Sequence, residues 1–435
     1  MALLQASVQT VTTTIASAPH LLPHQVALDL NSGDTAWMIV ATALVLFMTL
    51  PGLALFYGGM VRKKNILATL AQSVAATVIV TVLWVIAGYS LSFGVGGGDA
   101  AGPVNAVIGS LDAFMLNGVT TSTAYSAAPH LPEFLWVAYQ MTFAIITPAL
   151  IAGSIAERMK FSAFCLFMAL WSLLVYAPVA HWVWAGGFLQ KWGVLDFAGG
   201  SVVHVNSGVA GLVAALTLGK RKGFGRDNMA PHNLSLTMIG GSMLLVGWIG
   251  FNAGSEWAAD GIASVAMLNT IVATMTGAIG WIVPEWFERK QPTLLGMVSG
   301  MVAGLVAITP AAGFVNPTGA LVIGLVGGVV CYFASTYVKN LFKYDDSLDT
   351  FGVHGVGGFT GALLTGLFAD KAINPASAGA SVLKQLGGLT CVIVWSAVLT
   401  FAILMICKYT TGLRVAEDEE IEGLDTSQHG EMLHG

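Results

Sequence analysis

Apolar stretches of about 20 residues or more recur along the whole chain, each long enough to cross roughly 30 Å of hydrocarbon as a helix. They fall near 36–60, 66–94, 133–156, 161–186, 197–219, 232–255, 261–284, 294–313, 318–340, 351–369 and 385–410. Composition agrees, because 55% of the residues are hydrophobic and only 9% are charged, against about 25% charged in an ordinary soluble domain. The chain reads as an all-α integral membrane protein with eleven transmembrane helices.

Lys and Arg collect in cytoplasmic loops of membrane proteins, and here they alternate between loops. One side holds Arg62, Lys63, Lys64, Arg158, Lys160, Lys220, Arg221, Lys222, Arg226, Arg289, Lys290, Lys339, Lys343, Lys408 and Arg414. The other holds only Lys191, Lys371 and Lys384. This asymmetry predicts an N-terminus outside, a C-terminus in the cytoplasm and an odd number of spans. The chain divides into an external N-terminal segment, 1–34, a transmembrane domain, 35–410, and a polar, acidic cytoplasmic tail, 411–435. That tail is either solvated or a docking segment. Residues 1–34 contain no Lys or Arg, so MALLQASVQTVTTTIASA makes a poor secretory signal, although a cleaved leader stays open.

Cys165, Cys331, Cys391 and Cys407 all fall inside expected spans without metal-binding spacing, and read as packing residues. Much of the glycine, 52 residues, also lies inside the spans, where small side chains let membrane helices approach closely. Two histidine-bearing spans echo one another: HVNSGVAGL from His204 and HGVGGFTGA from His354 share H-x-x-x-G-x-x-G. Asp196 and Asp346 each stand eight residues before a histidine. An offset of five spans would run the two copies in opposite directions, giving an inverted five-helix repeat plus a final helix. The working site of such a repeat lies near the membrane midplane.

Ionisable groups inside a span are expensive and usually face a pathway or bundle interior. Related by the repeat, His204 and His354 would meet on its axis, share one hydrogen bond and leave their outer nitrogens to line a narrow pore. Two separately satisfied interior histidines are the plainer alternative. A metal centre finds no carboxylate or cysteine at ligand spacing beside either ring. Trp182 and Trp184 close the fourth span, where interfacial tryptophan commonly anchors in lipid. Phe251 and Ser255, like Tyr139 and Phe143, stand four apart on one helical face. Such aromatic faces with a hydroxyl could hold a small cation or simply pack.

These motifs resemble the ammonium transporter, methylammonium permease and Rhesus protein family, and most closely its bacterial ammonium transporter branch. The likeness rests on ALFYGGMVRKKN, AERMKFSA, LDFAGGSVVH, PHNL, GWIGFNAGS, TPAAG, FGVHGVGG and GLRV with the later EGLD and HGE, in the family's order from about 35 to 431. The resemblance implies a homotrimer with one pore per subunit in the bacterial inner membrane, taking up ammonium and also methylammonium, with no cofactor, metal or enzymatic activity. It assigns the external recruitment site to Trp184, Phe143 and Ser255, a stacked phenyl gate to Phe143 and Phe251, and the paired pore histidines to His204 and His354. Asp196 matches the family's structural aspartate, and Asp346 is its counterpart in the repeat.

Two positions depart from the family pattern. Tyr139 stands where phenylalanine is common in the recruitment site, so its hydroxyl could add a hydrogen bond or shift selectivity. The MLHG ending differs from the usual tail, which in the family contacts the trimeric P-II nitrogen-signalling protein. Ammonium and potassium are similar in size, but only ammonium donates directional hydrogen bonds and can lose a proton. An apolar pore lined by imidazoles would favour neutral ammonia over a bare ion, since charge is costly in low dielectric.

Three rival functions remain at this level. A membrane enzyme with a histidine-bound metal needs further ligands on the same helices. An ammonium sensor would commonly carry an added cytoplasmic signalling domain, for which a tail of about 25 residues is short. A Rhesus-type gas channel differs from the ammonium branch at the recruitment site, where Trp184 with Ser255 favours the latter. Water and glycerol channels would show paired Asn-Pro-Ala motifs, which the sequence lacks.

Overall fold

The computed structural model describes residues 21–95 and 102–433. The leader-like stretch at 1–18 and the last two residues of the MLHG ending lie outside the described residues. Ten described helices are long and apolar enough to cross a membrane. They are α1 (Ser32–Met60), α2 (Lys63–Phe93), α3 (Glu133–Ile155), α4 (Phe161–Trp192), α5 (Gly200–Leu218), α6 (Leu234–Glu256), α7 (Gly261–Arg289), α9 (Pro317–Phe342), α10 (Phe351–Phe368) and α11 (Val382–Thr410). The remaining apolar helix, α8 (Leu294–Ile308), is shorter. It stops before the end of the 294–313 stretch because Pro310 has no N–H to continue the ladder and the chain turns there.

Side-chain caps fix several of these helix starts. Asn31 accepts from Gly33 N and Asp34 N, Asn233 from Leu236 N, and Asn316 from Gly319 N with Pro317 at the first helical position. Each cap satisfies donors that the helix cannot pair internally. On the Lys-poor side, β1 (Gln25–Ala27) pairs antiparallel with β2 (Thr123–Tyr125), Val26 opposite Ala124. The pairing seats His24 and Gln25 against the buried Glu133 carboxylate, which also accepts from the Tyr89 hydroxyl at 2.8 Å.

The Lys- and Arg-rich side is closed by a buried ion network. Arg221 Nη1 lies 3.0 Å from Glu157 and its Nη2 2.8 Å from Asp345, while Arg62 reaches Glu157 at 2.9 Å. Burial alone would raise the Glu157 carboxyl, but Arg221 and Arg62 together hold it below the usual range. Burial likewise opposes ionisation of Asp345, and Arg221 outweighs it in the same direction. Both carboxylates are depressed, so their stabilisation is present above the ordinary carboxylate range and is lost as pH falls through the depressed values. Removing one partner of such a network strands buried charge, at a cost of about 3–5 kcal/mol. Arg221→Met is therefore expected to lower the thermal unfolding midpoint of the detergent-purified protein at neutral pH; an unchanged midpoint would refute this account of the network.

The tail folds onto the same side. After Thr410, the short helices α12 (Glu417–Glu422) and α13 (Leu424–His429) rest on loop ends of their own chain. Arg414 pairs with Glu420 at 2.7 Å, Leu424 N donates to Asn65 Oδ1 at 2.9 Å, and Ala68 N donates to Asp425 Oδ1 at 2.8 Å. The acidic stretch is thus docked on the base of α2 rather than simply solvated.

The four cysteines are free thiols, buried or half-buried among the helices. That placement agrees with a packing role.

Candidate functional site

Three turns of α6 carry much of the site on one face. Trp248, Phe251 and Ser255 follow i, i+3, i+7 spacing, which aligns them along a helix. Tyr139 and Phe143 form a similar pair on α3. Where the two faces meet, the Phe143 and Phe251 rings stack at 4.3 Å with 26° between their planes. Tyr139 and Trp184 approach Phe143 edge-on, at 5.0 and 5.8 Å. Trp184 is held by its indole N–H, which donates to the Asp196 carbonyl at 2.9 Å.

Hydroxyl orientation decides what this corner can bind. Ser255 Oγ donates to the Phe251 carbonyl at 2.8 Å, and Tyr139 OH lies 3.0 Å from the Gly250 and Phe251 carbonyls and 3.3 Å from Ser255 Oγ. Because the serine proton points inward, its lone pairs are left for a donor outside. The Tyr139 hydroxyl is locked against the α6 backbone, so the tyrosine braces Ser255. Trp184 and Ser255 open onto a cavity of about 590 Å³, whose wall also includes Glu256, Trp257 and His130.

Beyond the stacked phenyl rings, Phe251 lies 6.1 Å from the His204 ring, and Trp248 stacks on the same imidazole at 5.3 Å. His204 Nδ1 and His354 Nδ1 are 3.2 Å apart, with both side chains buried. One Nδ1 must carry a hydrogen and the other a lone pair, so a doubly protonated pair cannot make this bond. The space beside them is only about 10 Å³ and is walled by apolar residues including Leu53, Val203 and Leu244, barely one water's worth. His354 also borders a third cavity of about 180 Å³ with Tyr57, Ser335, Glu285 and Asp349. Ser255, Phe251, His204 and His354 therefore follow one another from one side's cavity to the other's.

The glycines account for how the rings meet. A Cβ on Gly208 would stand 2.1 Å from Gly355 N, and one on Gly358 would stand 2.9 Å from the His204 Cβ. Each motif's glycine at i+4 thus packs against the other motif's histidine turn, a reciprocal arrangement. Both histidines lie in wide, π-type first turns, Gly200–Val205 and Phe351–Gly355, a geometry frequent at functional sites.

The aspartates hold the starts of these turns. Asp196 accepts from the backbone of Gly199, Gly200, Ser201 and Val202 at 2.6–3.1 Å, and from the Ser201 hydroxyl. Asp346 accepts from Phe351 N at 2.7 Å, leaving its Oδ1 unpartnered.

Trp182 departs from the lipid-anchor expectation. It is buried, with its indole N–H donating to the Val107 carbonyl at 2.6 Å. The Val107 segment of the loop before α3 covers Trp182, while Trp184 faces the cavity it shares with Ser255. Trp248 was not singled out from the sequence, although its spacing of three from Phe251 in GWIGF was a usable signal. No cluster of three or more metal-capable side chains occurs among the described residues.

A profile of the Ammonium Transporter Family matches residues 36–434. The chain belongs to the ammonium transporter family. A protein of Aquifex aeolicus called ammonium transporter is 50% identical over 93% of this chain and 94% of its own length. A Bacillus subtilis ammonium transporter is 47% identical over 93% of this chain and 99% of its own. The crystal structure of Saccharomyces cerevisiae Mep2 superposes with a TM-score of 0.81 at 35% identity, covering 90% of this chain and 89% of that one. With ten apolar helices of membrane-spanning length among the described residues, the chain is a multi-pass membrane protein.

Proposed function

We infer that this chain takes up ammonium across a bacterial cytoplasmic membrane, with the Lys-poor face outside. Ammonium, or methylammonium, binds between Trp184, Phe143 and Ser255, with Tyr139 bracing the serine. The cation donates a hydrogen bond to Ser255 and meets ring faces. It gives up a proton near the Phe143–Phe251 stack to water of the outer cavity, and ammonia passes His204 and His354 to the cytoplasmic cavity. Asp196 and Asp346 position the two histidine turns. The observation that carries this reading is the unbroken succession of Ser255, stacked phenyl rings and paired imidazoles between two cavities.

The tight apolar passage supports conduction of a neutral species, because an unsolvated ion there would lose its hydration without compensation. The reciprocal glycine contacts support an inverted repeat around the histidine pair. The family likeness supports a homotrimer, and the docked acidic tail gives a P-II-type signalling protein a folded cytoplasmic surface to contact. Expression in a strain lacking its own ammonium transporters tests the function. Restored growth on low ammonium, with uptake of labelled methylammonium, is expected; absence of both in cells that hold the protein in the membrane would contradict it.

A further inference from the structure

The turn that ends α6 carries a second acid-base feature beside Ser255. After Ser255 and Glu256, the chain bends at Trp257 with φ of 63°, a left-handed conformation unfavourable for a bulky side chain. The bend is held from outside. His130 Nε2 lies 3.0 Å from the Trp257 carbonyl, the Trp136 and Trp257 rings meet at 4.6 Å, and Ala259 N donates to Asp34 at 2.8 Å. Strained backbone that its surroundings over-determine tends to mark functional positions.

Other carboxylates around this mouth are engaged. Asp260 caps α7 through Ile262 N and Ala263 N, Asp34 accepts from Ala259 N and lies 3.7 Å from His130, and Asp196 is saturated by its own turn. Glu256 differs: it lines the cavity shared with Trp184 and Ser255, and its carboxylate has neither a hydrogen bond nor an ion pair among the described residues.

We propose that Glu256 is an affinity-setting residue of the outer vestibule, one residue after Ser255 in the chain and a first stop for ammonium-type cations ahead of it. The proposal rests on the reading of this face as the side from which the cation enters. A carboxylate in a concave, partly desolvated mouth raises the local cation concentration. It holds the ion by charge, with no demand for ring contact. Ser255 and the aromatic faces then select for hydrogen-bond donors, so Glu256 governs capture and leaves passage through the pore unchanged.

Methylammonium uptake into liposomes containing the full-length protein tests this, in mildly alkaline buffer where a carboxylate is ionised. Glu256→Gln should raise the half-saturation concentration roughly three- to tenfold, the scale of one screened charge at close range, with the maximal rate unchanged. Glu256→Asp should stay near wild type and Glu256→Lys should bind weakest. Added inert salt should shrink the difference between wild type and Glu256→Gln, which a merely structural role would not do. Wild-type uptake with an unchanged half-saturation in Glu256→Gln, or a difference indifferent to salt, would overturn this proposal alone. Absence of uptake by the wild type would overturn the transport reading and this proposal with it.

Discussion

Replacing Gly208 by valine is expected to reduce ammonium uptake to the level of empty vesicles. Even the first atom of a side chain at this position would lie 2.1 Å from Gly355 N and 3.0 Å from the His354 carbonyl carbon, and neither is a flexible group that can swing aside. α5 and α10 must therefore separate. Overpacking of this kind costs about 1–3 kcal/mol, small enough for a many-helix bundle to remain folded. The functional loss is larger, because a separation of even 1 Å breaks the 3.2 Å contact between the imidazoles. Uptake per inserted protein in liposomes checks this, with Gly261→Ala as a control at a glycine whose Cβ would meet open space. Substantial uptake by Gly208→Val would mean that the close helix crossing is dispensable.

The second large effect concerns the histidines as a unit. His204→Ala, His354→Ala and the double variant are expected to lose nearly the same fraction of uptake. Either single change removes the shared hydrogen bond and leaves the surviving ring with an unpaired nitrogen in an apolar passage, a cost of about 1–3 kcal/mol. Residues in one hydrogen-bonded unit couple by about 0.5–3 kcal/mol, so the second substitution adds little. On that scale each single variant falls roughly tenfold or more in rate. Rates measured for all four proteins form the cycle, and effects that simply multiply would show two independent histidines.

Much of this was legible in the sequence because membrane helices obey a simple length rule. The long apolar stretches appear as helices, and the least faithful was 294–313, where Pro310 truncates α8. The echo between HVNSGVAGL and HGVGGFTGA pointed to a histidine pair because glycine periodicity is written locally. Trp184 was placed beside Phe143 only by resemblance, since their helices meet through tertiary packing that no spacing encodes. The brace from Tyr139 to Ser255 was invisible for the same reason: a hydroxyl's partner depends on which backbone carbonyls a neighbouring helix presents. Trp182 was misread as a possible lipid anchor because its cover, the Val107 loop, lies 75 residues away. Glu256 carries no spacing signal in the sequence, because it is the turn at Trp257 that brings it to the cavity wall.

Selective conduction of ammonium is the central claim, and potassium is its sharpest challenger. Potassium matches ammonium in size but has no proton to give up and no hydrogen bond to donate to Ser255. The decisive measurement is uptake of ammonium into liposomes containing the purified protein, with a large excess of potassium outside and potassium flux followed in the same vesicles. Ammonium uptake that excess potassium leaves unchanged, with potassium itself excluded, is the predicted result. Comparable potassium flux through the same protein would contradict it.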